Sequence, residues 1–227
     1  MGKMIDITRP DGKTCPAFLE EPEYTRDAPG FVMIQEWWGL NDQMKGLASR
    51  LAAEGYRVLV PDLFRGKVTL DANEANHLMD GLDFIDAGRQ DIRGCAQYLK
   101  RDSTAVGVGG FCMGGALTII AAVMVEECDA AVCFYGIPPL EAADPSAIRV
   151  PFLGHFATHD DWCTPEAVDA LESRLKAGGV DYTLYRYNAH HAFMNERRPE
   201  VYDKECAELA WSRTLAFLAK TLKKKSG

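Results

Sequence analysis

Five residues, Gly110-Phe-Cys-Met-Gly114, limit what this chain can fold into more than any other stretch. A β-rich run from Thr104 to Val108 leads into them, and an apolar, helix-like run from Ala116 to Val125 leaves them. Glycines two positions either side of one reactive side chain are what a sharp strand-to-helix turn requires. The backbone crowds there, and only hydrogen fits at the flanking Cα atoms. Such a turn lifts its apex side chain, here Cys112, clear of the sheet and over the first turn of a helix. The unpaired N–H groups and positive dipole end of that helix suit a sulfur nucleophile. The plainer reading of the same residues is a glycine-rich turn holding a core cysteine. The choice between them rests on whether the rest of the chain supplies partners.

The surrounding pattern alternates. Ile5-Asp-Ile-Thr8, a turn at Pro10-Asp-Gly12 and the run Cys15–Glu20 predict an opening hairpin. Gly30–Ile34 and Tyr56–Asp62 are short apolar runs of the kind buried on both sheet faces. Between them Asn41 or Asp42 can cap a helix carrying Met44, Leu47, Leu51 and Ala52, which Gly55 stops. Helical stretches are predicted over 72–79 and 83–100, and strands over 130–135, 151–156 and 180–187. A loop is expected over 138–147. A helix from Pro165 to Ala177 has Thr164 as its cap, and a last helix is predicted over 199–222 with Tyr202, Ala210, Leu215 and Leu218 facing inward. Strands and helices joined by short connections give the α/β class. The expected architecture is a mostly parallel, twisted sheet of about eight strands with helices on both faces, right-handed throughout and spanning 1–227 as one domain.

In such sheets functional groups collect beyond the carboxyl ends of the strands. Four informative stretches fall there: Glu36–Gly39, Cys112–Gly114, Asp160–Thr164 and His190–Phe193. A cysteine nucleophile needs a base to take its proton and a third group to hold the base. Downstream of the elbow stand Asp160-Asp161 and then His190-His191. His191 is favoured over His190 because the residue after the strand-end turn must reach across to the elbow, and Asp160 is favoured over Asp161, which can serve as a helix-leading carboxylate. Both competitors stay open at this point. His155 and His159 read as strand-end packing or solvent histidines. Trp37, Trp38, Phe64, Tyr135 and Trp162 can line an apolar or aromatic pocket.

Composition excludes several functions. A net charge of −8 argues against nucleic acid, and the Lys223–Lys225 run reads as a solvated, frayed helix end. No apolar run approaches the ~20 residues that cross a bilayer, and Met1-Gly-Lys-Met-Ile-Asp6 lacks the apolar core of a signal peptide. Seven cysteines without Cys-x-x-Cys pairs suggest neither a disulfide framework nor a zinc ribbon, so a reducing, cytoplasmic setting is expected. The expected partner is a small molecule, and the chain is expected to be a monomer or a weak homo-oligomer.

Together these stretches carry a resemblance. Gln35-Glu36-Trp-Trp-Gly39, Gly110-Phe-Cys112-Met-Gly-Gly115, His155 to Asp160, Ala189-His-His191-Ala-Phe193 and the closing Ala210-Trp-Ser-Arg-Thr-Leu-Ala-Phe217 span nearly the whole chain in order. The chain resembles the dienelactone hydrolases (carboxymethylenebutenolidases) of the α/β-hydrolase fold. That resemblance implies a Cys112–His191–Asp160 triad. It also implies a Glu36 that contacts the resting nucleophile and helps deprotonate it when substrate enters. The oxyanion hole would be the backbone N–H groups of Met113 and Trp37. The implied reaction opens a lactone or cleaves a small carboxylic ester through an acyl-enzyme, without metal or cofactor.

The chain departs from that family where the substrate carboxylate is held by two arginines. Four residues after the histidine stands Asn195, and 71–86 contains no arginine but five acids, Asp71, Glu74, Asp80, Asp83 and Asp86. Asparagine cannot match bidentate recognition by arginine. Asn195 is a candidate substrate contact in its place, with Trp38, Phe64 and Tyr135. Arg89, Arg197 and Arg198 read as surface charges. Two other chemistries compete: a redox or peroxide-sensing cysteine, although no second cysteine lies at close spacing, and a metal hydrolase built from His155, His159, Asp160 and Cys163.

Overall fold

The continuous apolar runs form the middle of one sheet, because helices cover both of their faces. β3 (Gly30–Ile34), β4 (Arg57–Pro61), β5 (Val106–Phe111) and β6 (Ala130–Phe134) are buried at every position. Outside them lie the hairpin β1 (Lys3–Thr8) and β2 (Thr14–Glu20) on one edge, and β7 (Phe152–His159) and β8 (Tyr182–His190) on the other. The computed structural model describes residues 2–223, and its eight-stranded sheet runs β1-β2-β4-β3-β5-β6-β7-β8. The first three strands of that order pair antiparallel, and every pair from β4 to β8 is parallel. Met1 and the Lys-rich end beyond Lys223 lie outside the described residues.

Capping residues fix the helices. Asn41 accepts from the Met44 N–H to start α1 (Asp42–Ala53), and Asp71 accepts from Glu74 to start α2 (Ala72–Asp80). Asp83 caps α3 (Phe84–Asp86), which continues through a π-helical segment, Ala87–Ile92, into α4 (Arg93–Lys100). α5 (Met113–Met124) is buried at ten of its twelve positions, as its uniformly apolar sequence demands. α6 (Pro165–Ala177) and α7 (Lys204–Leu222) complete the layers. Leu99, Ile120 and Leu171 pack one face of the sheet, and Met44, Leu51, Trp211 and Leu218 the other.

Three expectations need correction. The last helix begins at Lys204, where Asp203 caps the Cys206 N–H, because hydrogen-bonded turns occupy 195–202. Tyr202 therefore precedes the helix. The predicted 83–100 helix is interrupted by the π segment. β7 and β8 outrun their predicted ends, since their pairing continues past an irregularity at Ala157/His159 to join His159 with His190. The hairpin edge is tied down by charge: buried Arg9 reaches Asp11, Asp86 and Asp91, and Arg65 reaches Asp91 at 2.8 Å. Two of the five acids in 71–86 are thus helix caps, and a third is the partner of Arg9.

Candidate active site

β5 ends and α5 begins within one residue, and that residue is Cys112, at φ +55° and ψ −116°. A non-glycine side chain in that backbone region is strained and is held there by its surroundings. A Cβ on Gly110 would stand 2.5 Å from the Gly114 carbonyl oxygen, and one on Gly114 would strike the carbonyl of Ile34. The two glycines flanking the elbow are therefore required by close backbone approach. Met113 opens α5, and neither its N–H nor that of Trp37 has a hydrogen-bond partner among the described residues. Two free donors thus stand past the ends of the neighbouring strands β3 and β5, in residues that line one cavity.

His191 follows the last residue of β8, and its Nδ1 lies 2.7 Å from Asp160 Oδ2. Asp160 is buried just past β7. Its other oxygen accepts the N–H groups of Trp162 and Cys163 at 2.7 and 2.9 Å. Burial opposes its ionisation, but the His191 hydrogen bond and charge and the two N–H donors outweigh burial and hold the carboxyl below its ordinary range. For His191 burial opposes the charged ring. The hydrogen bond that His191 donates to Asp160, the side-chain interaction with Cys112 and the two opposite charges then carry its pKa up to about 10. His191 Nε2 is buried and closes no hydrogen bond of ordinary geometry among the described residues. The competing residues go elsewhere: Asp161 is exposed, and the exposed His190 packs its ring beside His159.

Glu36 is 2% exposed. It accepts from Asn195 Nδ2 at 2.7 Å and from the Tyr135 hydroxyl at 3.4 Å. Burial pushes its carboxyl up, against the charge of His191, the Asn195 hydrogen bond, the charge of Arg198 and the Tyr135 hydroxyl. No hydrogen bond joins Glu36 to Cys112 among the described residues, because both carboxylate oxygens are engaged by Asn195 and Tyr135. Tyr135 is itself wholly buried at φ +38°, and its ring meets that of His191 edge-on at 5.1 Å.

These groups open on a cavity of about 390 Å³ walled by Trp37, Trp38, Tyr135 and Trp162, with Met79 and Phe84 from α2 and α3. Phe64 is a correction: it follows β4 and packs into the core beside Leu63, with no share in the cavity wall. Asn195 reaches Glu36 and is likewise absent from the wall. Arg198 is the converse correction. It lines the cavity, its guanidinium 5.4 Å over the Trp38 ring, while its Nε holds Glu200 at 2.7 Å. The wall formed by Gly136–Pro139 was missed in the sequence, although it lies beyond the carboxyl end of β6, where the strand-end rule would have placed it.

Cys163 also lines the cavity, so the fold gives Cys112 a neighbouring cysteine that sequence spacing conceals. The metal arrangement does not assemble. His155 is wholly buried with both ring nitrogens engaged, by Tyr187 at 2.8 Å and Thr214 at 3.0 Å, and burial pushes its pKa down to about 3. His159 Nε2 lies against Asn188.

Comparison with known proteins gives this geometry a family. The chain is 31% identical to protein usf of Aquifex pyrophilus, over 98% of this chain and all of that one. It is 28% identical to carboxymethylenebutenolidase 1 of Cupriavidus pinatubonensis, over 95% of each. A crystal structure of a candidate dienelactone hydrolase from Klebsiella pneumoniae superposes with a TM-score of 0.86 at 25% identity, covering 97% of this chain and 98% of that one. An esterase from Pyrococcus furiosus, at 19% identity and a TM-score of 0.67, shares the fold. The dienelactone hydrolase family model matches residues 15–222. A match that takes in the elbow, the Asp160–His191 pair and Glu36 together leaves one assignment: the chain belongs to the dienelactone hydrolase family, on the α/β-hydrolase fold.

Proposed function

We propose that the protein hydrolyses lactones or small carboxylic esters with Cys112 as nucleophile, His191 as base and acid, and Asp160 as the group that holds His191. One observation carries the reading. Cys112 sits strained above the start of α5, in the same cavity as a histidine whose far nitrogen is fixed on a buried carboxylate. Cys112 Sγ attacks the carbonyl carbon, and the oxygen that gains charge rests on the Met113 and Trp37 N–H groups. His191 returns the thiol proton to the departing alkoxide. The resulting thioester is then cleaved by a water that gives its proton to His191, and the acid leaves as the thiol reforms. No cofactor enters the scheme.

The wall suggests the substrate. It is aromatic and aliphatic, which suits an apolar acyl or alcohol portion. Its one lasting positive charge is Arg198, whose terminal nitrogens have no partner among the described residues. A single carboxylate on the substrate can be met there, with less grip than two arginines supply. The test is hydrolysis of p-nitrophenyl acetate and of a carboxylate-bearing lactone by the parent and by Cys112→Ala. Loss of both activities in the variant, and inactivation of the parent by thiol alkylation, support the reading. A Cys112→Ala protein that works at the parent rate overturns it.

A further inference from the structure

We infer that Met79 and Phe84 form an acyl subsite beside the first turn of α5, and that it takes an unbranched, uncharged aliphatic chain from butanoyl to octanoyl. The inference rests on the proposed role of Cys112 and deepens that reading by naming the acyl portion of the substrate.

The reaction divides the cavity. His191 gives its proton to the departing alkoxide, so the alcohol portion lies on the His191 side. Trp162 stands there, its ring 6.3 Å from that of His191 and 5.6 Å from that of Trp37. The carbonyl oxygen and Sγ take two further directions around the attacked carbon. The acyl chain has the one that remains. Phe84 has no ring partner among the described residues, so it stands apart from that aromatic group, and α3 packs instead on α5. Met113 and Ala116 of α5 line the cavity together with Met79 and Phe84.

Segment 71–86 carries five acids, and none of them lines the cavity. Asp71 caps α2 and Asp83 caps α3. Glu74 accepts from the Thr69 hydroxyl at 2.7 Å, Asp80 accepts from Asn76 Nδ2 at 2.8 Å, and Asp86 holds Arg9. What the segment gives the cavity is the Met79 thioether, one turn beyond the buried Ala75, and the Phe84 ring. Both are half-buried against the core that contains Met113 and Ile120. The arginine of the cavity wall, Arg198, lies over Trp38. A charge at the end of the acyl chain would be buried here without a partner, whereas methylenes gain by leaving water. Methionine adapts to chains of different length. A cavity of about 390 Å³ has room for far more than an acetyl group.

The experiment is a series of p-nitrophenyl esters from acetate to decanoate, with the alcohol portion constant and every ester below its micelle concentration. Each methylene that leaves water for this wall should raise kcat/KM about threefold, a little under the gain of complete burial. Hexanoate should then exceed acetate by roughly a hundredfold, and the gain should stop by decanoate, when the chain outgrows the wall. Phe84→Ala and Met79→Ser should each lower the hexanoate-to-acetate ratio about tenfold, the equivalent of two methylenes. The two positions lie on different helices, so a variant that fails to fold leaves the other to report. Trp162→Ala, on the alcohol side, should lower every ester alike and keep the slope. The inference is overturned by a flat or falling profile in the parent, by Met79 and Phe84 variants that keep the parent ratio, or by a slope lost in Trp162→Ala. Failure of the hydrolase reading shows separately, as hydrolysis by Cys112→Ala at any chain length.

Discussion

Replacing Asp160 with asparagine separates chemistry from folding at this site. The carboxylate makes three hydrogen bonds, two from the Trp162 and Cys163 N–H groups to Oδ1 and one with His191 at Oδ2. An asparagine that keeps its oxygen on the two N–H groups presents an amide N–H to His191 Nδ1. The ring must then accept at Nδ1 and carry its proton on Nε2, the nitrogen that faces the reaction. It can no longer take a proton from the thiol. In serine triads the same change lowers kcat about ten-thousand-fold, roughly 5.4 kcal/mol. Folding loses far less: three bonds weaken from charge-assisted to neutral at about 1 kcal/mol each. At about 2–4 °C per kcal/mol for a chain of this size, Tm should fall by roughly 6–12 °C.

The pH profile adds a sign. With Asp160 present, its hydrogen bond and charge and the interaction with Cys112 raise the ring's pKa to about 10. Removing that charge and hydrogen bond leaves burial, which works against the imidazolium, opposed by Cys112 alone, so the alkaline limb of kcat/KM should move to lower pH. Initial rates on p-nitrophenyl acetate from pH 5 to 10.5, with thermal melts alongside, measure both. A variant that keeps a third or more of the parent rate, with its alkaline limb in place, refutes the role given to Asp160.

Two further outcomes follow from the same contacts. Arg198→Met keeps an apolar stem over Trp38 but removes the charge, and should cut kcat/KM about 10- to 100-fold for a carboxylate-bearing lactone while sparing a neutral ester; equal loss on both substrates would remove Arg198 from recognition. Asp91→Ala takes one of three carboxylates from the buried Arg9 guanidinium and the carboxylate partner of Arg65, and should cost about 1.5–3 kcal/mol in urea unfolding with no change in KM; a cost under a quarter of that would show the network to be solvated.

Much of this molecule is readable in its residues because steric rules act locally. Only hydrogen fits where Gly110 and Gly114 approach backbone, so the elbow can be placed without coordinates. The continuous apolar runs are central strands, Thr164 is the expected cap, and of Asn41 and Asp42 it is Asn41 that caps α1. What escaped is settled by pairing and packing over distance. The turns after Asn195 delay the last helix to Lys204, and Phe64 is claimed by the core on the hairpin side of the sheet. Asp160 differs from Asp161, and His191 from His190, by one position in the chain. Both pairs fall where β7 and β8 give way to turns, and only the exact strand ends fix which neighbour faces the elbow.

Arg198 has the most to say about function. Four residues past the histidine, an asparagine replaces the arginine that the family places there, and a search at that spacing finds no cation. The chain beyond Asn195 is not extended, however. The Arg198 N–H closes onto the Asn195 carbonyl, and the Tyr202 N–H onto that of Arg198, so one compact turn carries residue 198 back over the cavity mouth. Its guanidinium lies 5.4 Å over the Trp38 ring, in the wall that Trp162 also lines. Position 195 then has no need to carry the charge and can hold Glu36 instead, from beneath. Separating the two tasks by three residues gives them different substitutions: changes at 198 should alter which substrate is taken, and changes at 195 how Glu36 is held.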